Sequence, residues 1–382
     1  MSALCIPHFL SLGTEFIRHA ALATIVNLVN YFLPQKVINT GNPERRIKMQ
    51  QIKSSIFSLF LIVGLIIGMA GESAASRNLV LAHTGGPGTA VDLTYIKFKE
   101  LVEEKTNGEI IIDLFGAGSL AGDQTAVEGA QMGTIAIGSS GTNNMAPFTS
   151  QFLFGDLPYV MDSVESSHKV WGGEIGAELR ESVGKELNLV GLFFVDVGSF
   201  RVLGNNRRPV HTPEDLRGLK IRATATPVEQ AILRAWGASP TPVSWPEVYM
   251  ALEQQVVEGT YVQPLWTVSA KQHEAMKYYT ETGGVQNMHL CFMSKIIWDT
   301  LTESQQKAIL EAAQEAQAYN FEIAPQMVDG LKEEMISIGG QFYYPTDEEM
   351  EKWMGIKDAI WEQFSDRIDM DFVQRVVEAQ RQ

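Results

Sequence analysis

Two shortages limit what this 382-residue chain can be. It has only two cysteines, Cys5 and Cys291, so a form that loses its N-terminus keeps one thiol and forms no internal disulfide. Basic side chains are also scarce, at 30 against 45 acidic ones, which gives a net charge of −15. This charge disfavours nucleic acids and anionic membrane surfaces as main partners, so we expect no nucleic acid partner.

Catalytic and cofactor motifs are missing as well. The sequence contains no GxSxG elbow, no HExxH pair, no P-loop and no CxxC pair, and its seven histidines have no partner at metal-ligand spacing. One dinucleotide-like pattern, GAGSLA at 116–121, precedes a strand that lacks the acid needed to hold a ribose hydroxyl, so we interpret it as a tight turn. These absences predict a protein that is not an enzyme and carries neither a metal nor a cofactor.

A hydrophobic segment near the N-terminus predicts export. The segment 49–75 carries Lys53 in its first residues, MQQIKSS, and continues with the apolar run 56–70. Near its end, Ser73 and Ala75 fit a small-x-small cleavage site. We therefore predict a cleaved signal peptide, a mature chain that begins at Ser76 and a periplasmic location. The apolar run is shorter than the ~20 residues of a membrane-spanning helix, and an uncleaved membrane anchor is the alternative.

The segment 1–48 does not fit this interpretation, because a signal peptide does not normally begin fifty residues into a chain. It has an apolar stretch of its own, 20–33. We interpret 1–48 as an extension that is not translated, with the start at Met49. The alternative is a genuine second hydrophobic helix.

The chain after residue 76 shows alternating strand and helix patterns. Apolar runs at 78–83, 109–115 and 134–137 are separated by helical patterns, the second of which extends from a capping Asp123 to Met132. This β-α-β-α-β order predicts a largely parallel sheet with helices on its faces.

Ligands of parallel sheets lie beyond the carboxyl ends of the strands. The loops at 84–88 and 139–144 are therefore candidate site walls, and His83, at a strand end, is the histidine that we place near a site, although a hydrogen-bonded turn residue is the simpler interpretation.

The second half repeats the pattern, with predicted strands at 189–194, 200–203, 219–223 and 261–263 and a long amphipathic helix over 301–324. We predict two α/β lobes joined by a hinge, with a ligand cleft between them. The first comprises 76–198 and about 288–327, and the second comprises 199–287 and about 328–382.

Two arginines have the chemistry of a ligand site. Arg201 and Arg222 each lie near the end of an apolar strand segment, where a guanidinium would be partly desolvated. The planar fork of donors on arginine matches a carboxylate or a sulfonate. A salt bridge between the lobes is the equally weighted alternative.

Two segments around Arg222 resemble a known family. The stretches TPEDLRGLKIRAT (212–224) and GASPTPVSWPEVYMALEQQVVEG (237–259) are similar to the substrate-binding receptors of TRAP transporters (tripartite ATP-independent periplasmic) of the C4-dicarboxylate-binding type. The resemblance covers roughly 78–380. It implies a two-lobed periplasmic-binding-protein type II-like fold, a small organic acid as ligand and membrane permease subunits as partners.

The resemblance also suggests which residues contact the ligand. Arg222 matches the arginine that clamps the carboxylate, Arg201 a second ligand arginine and Trp245 an aromatic lining residue. A further pocket-lining loop matches Ser140, Asn143 and Asn144.

Two features depart from the family pattern. The segment EGTYVQP (258–264) has Val262 or Gln263 where the family has asparagine, and we favour Gln263 as the ligand contact. The loop that begins at Thr84 is unusually small, which would admit a bulkier ligand. Ligand identity therefore stays open between carboxylates and sulfonates, and the alternative functions are a membrane-anchored or secreted sensing domain and a secreted enzyme.

Overall fold

The computed structural model describes residues 76–381; the predicted signal peptide and the segment 1–48 lie outside them. In chain order the strands are β1 Arg77–Ala82, β2 Ile110–Phe115, β3 Ile137–Gly141, β4 Leu189–Val195, β5 Val202–Asn205, β6 Lys220–Ala223, β7 Ser239–Pro242, β8 Gly259–Val262, β9 Tyr278–Glu281, β10 His289–Ser294 and β11 Gln341–Tyr343. The α-helices are α1 Ala90–Lys105, α2 Asp123–Met132, α3 Val164–Gly172, α4 Glu174–Leu187, α5 Pro227–Ala235, α6 Val248–Glu253, α7 Pro264–Ser269, α8 Lys295–Trp298, α9 Glu303–Gln326, α10 Val328–Ser337, α11 Asp347–Met354, α12 Lys357–Gln363 and α13 Met370–Ala379. Within this part of the chain, no helix combines the length and the apolar character needed to cross a membrane.

The first sheet has the strand order β2-β1-β3-β10-β4. β1 pairs in parallel with both β2 and β3, as the alternation of strands and helices predicts. β10 inserts between β3 and β4 and is antiparallel to both. The prediction of parallel pairing is thus confirmed for the first three strands, and a strand from much later in the chain completes the sheet.

The second sheet has the order β11-β9-β5-β8-β6-β7. The chain passes from the first sheet to the second after β4, returns after β9 and crosses again after β10. Each sheet is the centre of one lobe, and the crossings leave strand ends from both lobes facing a shared cleft.

The third strand begins later than predicted, and the reason is the end of helix α2. Gly133 adopts a positive φ of 76°, and the backbone N–H groups of Thr134 and Ile135 both donate to the carbonyl of Gly129. Residues 134 and 135 therefore satisfy the last turn of the helix instead of a strand ladder. The strand is displaced toward the predicted loop, and Ser140 becomes part of a buried strand.

Two site candidates lie just outside the strands predicted to carry them. β5 begins at Val202, so Arg201 lies in the crossing segment and donates its backbone N–H to the carbonyl of Val285 (2.9 Å). β8 ends at Val262, so Gln263 is the residue that precedes helix α7.

The C-terminal half contributes helices to both lobes. The predicted long helix is α9, which begins with a capping box in which the Thr302 side chain accepts from the backbone N–H of Gln305 (3.2 Å). In the last helix, α13, Phe372 packs edge-on against Phe154 (5.1 Å between ring centroids). The C-terminal segment thus contacts the first lobe through Phe372 and also adds strand β11 to the second sheet.

Candidate functional site

A cavity lies where segments from both lobes meet. The space within it that a water-sized molecule can enter is about 30 Å³, and it is lined by Thr84, Asp123, Asn143, Asn144, Arg201, Arg222, Thr224, Trp245, Val262, Gln263, Trp266, Asn287 and His289. A wider recess of about 430 Å³ shares five of these residues, namely Asp123, Asn144, Arg222, Thr224 and Trp245. The recess and the cavity together have room for a small organic molecule.

The cavity forms at the carboxyl ends of strands, as the sequence predicts. In the first lobe Thr84 follows β1, and Asn143 and Asn144 follow β3. In the second lobe Thr224 follows β6 and Gln263 follows β8. Because strands that run parallel end at the same edge of a sheet, these polar residues gather at one place in each lobe.

Arg222 enters the cavity as a buried cation that forms no ion pair with a carboxylate of residues 76–381. Its side chain comes from β6, and the residue is 3% exposed. Its Nε donates to the carbonyl of Val243 (3.1 Å), and its guanidinium carbon lies 5.6 Å from the ring centroid of Trp245. Within residues 76–381, no ion pair with a carboxylate is formed by this guanidinium. Burial lowers the pKa of Arg222 to about 10, against the opposing charges of Glu229 and Asp123, so the group stays cationic at pH 7.

Arg201 is as buried as Arg222 but is fully engaged by the protein. Its Nη1 lies 2.7 Å from Oε2 of Glu229 and donates to the carbonyl of Tyr261 (3.4 Å). Its Nε and Nη2 both donate to Oδ1 of Asn287 (3.3 Å each). Burial alone would lower the pKa of Arg201, but the carboxylates of Glu229 and Asp156 outweigh burial and raise it.

A second carboxyl group lies behind Arg201. Oδ1 of Asp156 is 4.0 Å from Nη2 of Arg201, and the Asp156 side chain is almost fully buried. Burial raises the pKa of Asp156 to about 7, against the opposing effect of Arg201 and with a further rise caused by Glu229. Glu229 is therefore the closer and more strongly paired of the two carboxylates.

Three amide side chains form a connected row on one wall. Nε2 of Gln263 donates to Oδ1 of Asn287 (3.2 Å), and Nδ2 of Asn287 donates to Oδ1 of Asn143. This row joins the first lobe, through Asn143, to the second lobe, through Gln263. Amide groups both donate and accept, so the wall suits ligand oxygens of either character.

Asp123 contributes a carboxylate to the cavity instead of capping a helix. The cap of α2 is Gly122, and Asp123 is the first helical residue. Its Oδ1 accepts from the backbone N–H of Gly141 (3.2 Å), and its Oδ2 accepts from Nδ2 of Asn144 (2.8 Å). Nδ1 of His289 lies 4.0 Å from Oδ1. Burial lowers the pKa of His289, against the effect of Asp123, so the imidazole is neutral at pH 7 and does not compensate the carboxylate.

Two tryptophans supply the apolar surface of the cavity. The rings of Trp245 and Trp266 meet edge to face with centroids 5.5 Å apart, and Trp266 also lies 4.9 Å from the ring of His289. Aromatic faces of this kind cover a carbon skeleton while polar groups hold the oxygens.

Seven of the nine predicted ligand residues line the cavity, namely Arg222, Arg201, Trp245, Gln263, Asn143, Asn144 and Thr84. Val262, the alternative to Gln263, lines it too. Their contact with a ligand stays a prediction, but the structure brings them together.

His83 and Ser140 are placed behind the cavity wall. Ser140 is buried in β3, where its hydroxyl donates to the carbonyl of Gly141 (3.2 Å). His83 stacks on Tyr95 with ring centroids 4.7 Å apart, and its Nε2 lies 3.6 Å from Asp92. Burial, followed by the effect of His289, lowers the pKa of His83 to about 4, so this imidazole is a neutral packing residue.

Sequence reasoning missed five lining residues: Asp123, Thr224, Trp266, Asn287 and His289. Asp123 and Thr224 could have been found, because each follows the carboxyl end of a predicted strand. Asn287 and His289 reach the cavity only because β10 inserts into the first sheet, and no local pattern signals that insertion. In the part of the chain that the structure describes, no group of three or more His, Cys, Asp or Glu side chains is placed to hold a metal ion.

Comparisons with known proteins identify the family of this chain. The family model described as bacterial extracellular solute-binding protein, family 7, matches residues 81–367. The 2,3-diketo-L-gulonate-binding periplasmic protein of Escherichia coli is 30% identical over 295 residues, which cover 75% of this chain and 88% of that protein. The C4-dicarboxylate-binding periplasmic protein of Rhodobacter capsulatus is 28% identical over 325 residues, which cover 82% and 97%.

A solved structure extends the likeness to the whole fold. The TRAP periplasmic solute-binding protein of Sulfurospirillum deleyianum, crystallised with bound succinate, superposes with a TM-score of 0.75 at 26% identity and covers 79% of this chain and 98% of its own. The two-lobed architecture is thus of the type II-like kind found in these receptors. The chain belongs to the bacterial extracellular solute-binding proteins of family 7, the receptors of TRAP transporters.

Proposed function

We propose that this chain captures a small organic acid in the periplasm and delivers it to the membrane subunits of a TRAP permease. The observation that carries the proposal is Arg222, a buried cation that lines the cavity and has no carboxylate partner among residues 76–381. Because an unpaired buried charge is costly, an anionic ligand that forms two parallel hydrogen bonds with this guanidinium gains strongly from binding.

The proposal also includes closure of the two lobes over the ligand. We propose that the lobes are 76–198 with about 288–327 and 199–287 with about 328–382, and that they close over the ligand. The division is supported by the sheets, because β1 to β4 and β10 fall in the first lobe and the other strands in the second. Closure would strengthen the bonds of Arg222 by excluding water.

Export and the absence of catalysis belong to the same proposal. The segment 49–75 would direct the chain to the periplasm and be cleaved before Ser76. The family consists of binding receptors, and the cavity offers amide donors, aromatic faces and one unpaired cation. These groups hold a ligand without changing it.

The test is a ligand screen by thermal shift and calorimetry on the protein from Ser76 onward. The screen pairs acids with neutral compounds of the same skeleton, such as gluconate with glucitol and succinate with succinamide. A ligand present at ~100 times its dissociation constant adds ~2.7 kcal/mol to the free energy of unfolding. We expect acids alone to stabilise the protein, and Arg222→Gln to lose about 2–5 kcal/mol of binding free energy.

The matched control is Arg234→Gln, which removes the same charge at an exposed position of α5 and leaves affinity unchanged. Stabilisation by neutral compounds alone, or acid binding that survives Arg222→Gln within a few-fold, would contradict the proposal.

A further inference from the structure

The two arginines of the cavity do not offer equal charge to a ligand, and this difference narrows the proposed function to one class of acid. Arg201 has its charge compensated by Glu229, whose Oε2 lies 2.7 Å from Nη1. The three hydrogen bonds and two ion-pair contacts described above occupy all three of its nitrogens. Arg201 therefore adds almost no net positive charge to the cavity.

Glu229 is fixed in this arrangement by its surroundings. The residue is 1% exposed, and its Oε2 also accepts a hydrogen bond from the hydroxyl of Thr224, a lining residue. Separating a buried carboxylate from its cation leaves an uncompensated buried charge, which is costly. We therefore expect Glu229 to stay paired with Arg201 when a ligand enters.

Asp123 places a carboxylate in the same cavity as Arg222, whose pKa its charge raises. It is 8% exposed, lines both the cavity and the adjoining recess, and is not compensated by the neutral His289. Its two oxygens accept hydrogen bonds from the backbone N–H of Gly141 and from the amide of Asn144. With one donor on each oxygen, about half of its four lone-pair positions are open to further donors.

We infer that the cavity selects acids with a single carboxylate and several hydroxyl groups, and that Glu229 and Asp123 reject a second carboxylate. Glu229 acts by compensating Arg201, so that Arg222 is the one cation left for the ligand among the described residues. Asp123 acts by repelling a second anionic group while accepting hydrogen bonds from hydroxyls. This inference rests on the proposed function and specifies its ligand class.

The other walls fit the same ligand. Hydroxyl groups donate and accept, which matches the amide row of Asn143, Asn287 and Gln263. The faces of Trp245 and Trp266 cover the C–H faces of a hydroxylated chain. A second carboxylate would meet no uncompensated cation on these walls.

The experiment measures affinities by calorimetry for three pairs of acids that differ only in the oxidation of the last carbon. The pairs are D-glycerate with tartronate, L-threonate with tartrate, and D-gluconate with D-glucarate. We expect the monoacid of the pair with the best-fitting length to bind at least about 10-fold tighter than its diacid, because facing like charges cost several kcal/mol.

Two variants then relax the selection. Glu229→Gln uncovers the charge of Arg201, and Asp123→Asn removes the repelling charge; each is expected to shift the monoacid-to-diacid affinity ratio by about 10-fold or more toward the diacid. Glu128→Gln, at an exposed position on the same helix as Asp123, is the control and leaves the ratio unchanged. Because Glu229→Gln disturbs a buried ion pair, Asp123→Asn tests the inference independently if the first variant fails to fold.

The outcomes separate the inference from the proposed function. Diacids that bind as tightly as monoacids to the unaltered protein, or a ratio that Asp123→Asn leaves unchanged, would overturn the inference while the receptor for organic acids stands. Preference for an amino acid, with an ammonium group at Asp123, would also overturn it. If no acid of any kind binds, the proposed function itself fails, and the inference fails with it.

Discussion

Arg201 and Arg222 lie in one cavity and are buried to the same extent, yet the protein treats them differently. Arg201 is surrounded by Glu229, Asp156 and Asn287, whereas Arg222 contacts a carbonyl and the face of Trp245. Burial of a cation therefore does not by itself identify a ligand residue. The set of acceptors that the protein already supplies decides which arginine is left for the ligand.

The largest expected difference between the two arginines is in stability, and it is tested by replacing each of them in the unliganded protein. Arg201→Met leaves Glu229 as a buried charge without a cation, and we expect it to lower the free energy of unfolding by about 3–5 kcal/mol. Arg222→Met orphans no carboxylate and should cost little, since it replaces a poorly solvated cation by an apolar side chain. The measurement is denaturant unfolding at pH 7 without ligand.

A third variant provides the control for Arg201. The double substitution of Arg201→Met with Glu229→Gln removes both charges, so it should recover part of the stability that the single variant loses. Equal losses in Arg201→Met and Arg222→Met would show that the two arginines are not distinguished by their partners.

Asp156 offers a second test, through pH. Burial raises its pKa from 3.8 to about 7, so the folded state holds a proton that the unfolded state releases near pH 4. The contribution of Asp156 to the free energy of unfolding is therefore fully present below about pH 4, falls as the pH rises toward 7 and levels off above it. Asp156→Asn lacks this ionisation, and its stability relative to the unaltered protein should rise by about 3–4 kcal/mol between pH 4 and pH 8.

The control for this prediction is Asp162→Asn, which alters an exposed carboxyl. Its stability relative to the unaltered protein should not change with pH over the same range. A flat difference for Asp156→Asn as well would mean that Asp156 is ionised throughout, and Arg201 would then be compensated twice.

The two arginines also show what the sequence could and could not predict. The position of Arg222 near the end of β6 followed from local patterns, and so did the parallel start of the first sheet and the gathering of Thr84, Asn143 and Asn144 at its edge; Arg201 lies just before β5 instead of within it. Local patterns reveal these features because strand ends depend on hydrophobic periodicity and turn residues nearby in the chain.

The pairing of Arg201 could not be predicted in the same way. Glu229 comes from α5 and Asp156 from a short 3-10 helix of the first lobe, and only the packing of the two lobes brings both to one guanidinium. Asn287 and His289 depend likewise on β10 crossing back into the first sheet. The sequence left two alternatives for Arg201, a salt bridge between the lobes and a residue of the ligand site. In the structure Arg201 both forms ion-pair contacts and lines the cavity.

The smallest expected effect concerns Trp245, whose substitution tests how much the aromatic contact of Arg222 contributes to acid binding. Its ring lies 5.6 Å from the guanidinium carbon of Arg222 and edge-on to Trp266. A cation over an aromatic face gains about 0.5–2 kcal/mol, so Trp245→Leu should weaken acid binding by roughly that amount, a few-fold to tenfold in the dissociation constant. Trp245→Phe keeps a ring at the same place and should retain most of the affinity. Calorimetry on the best acid of the screen decides between them: if the leucine and phenylalanine variants bind equally well, Trp245 contributes bulk alone, and the orientation of Arg222 rests on its hydrogen bond to Val243.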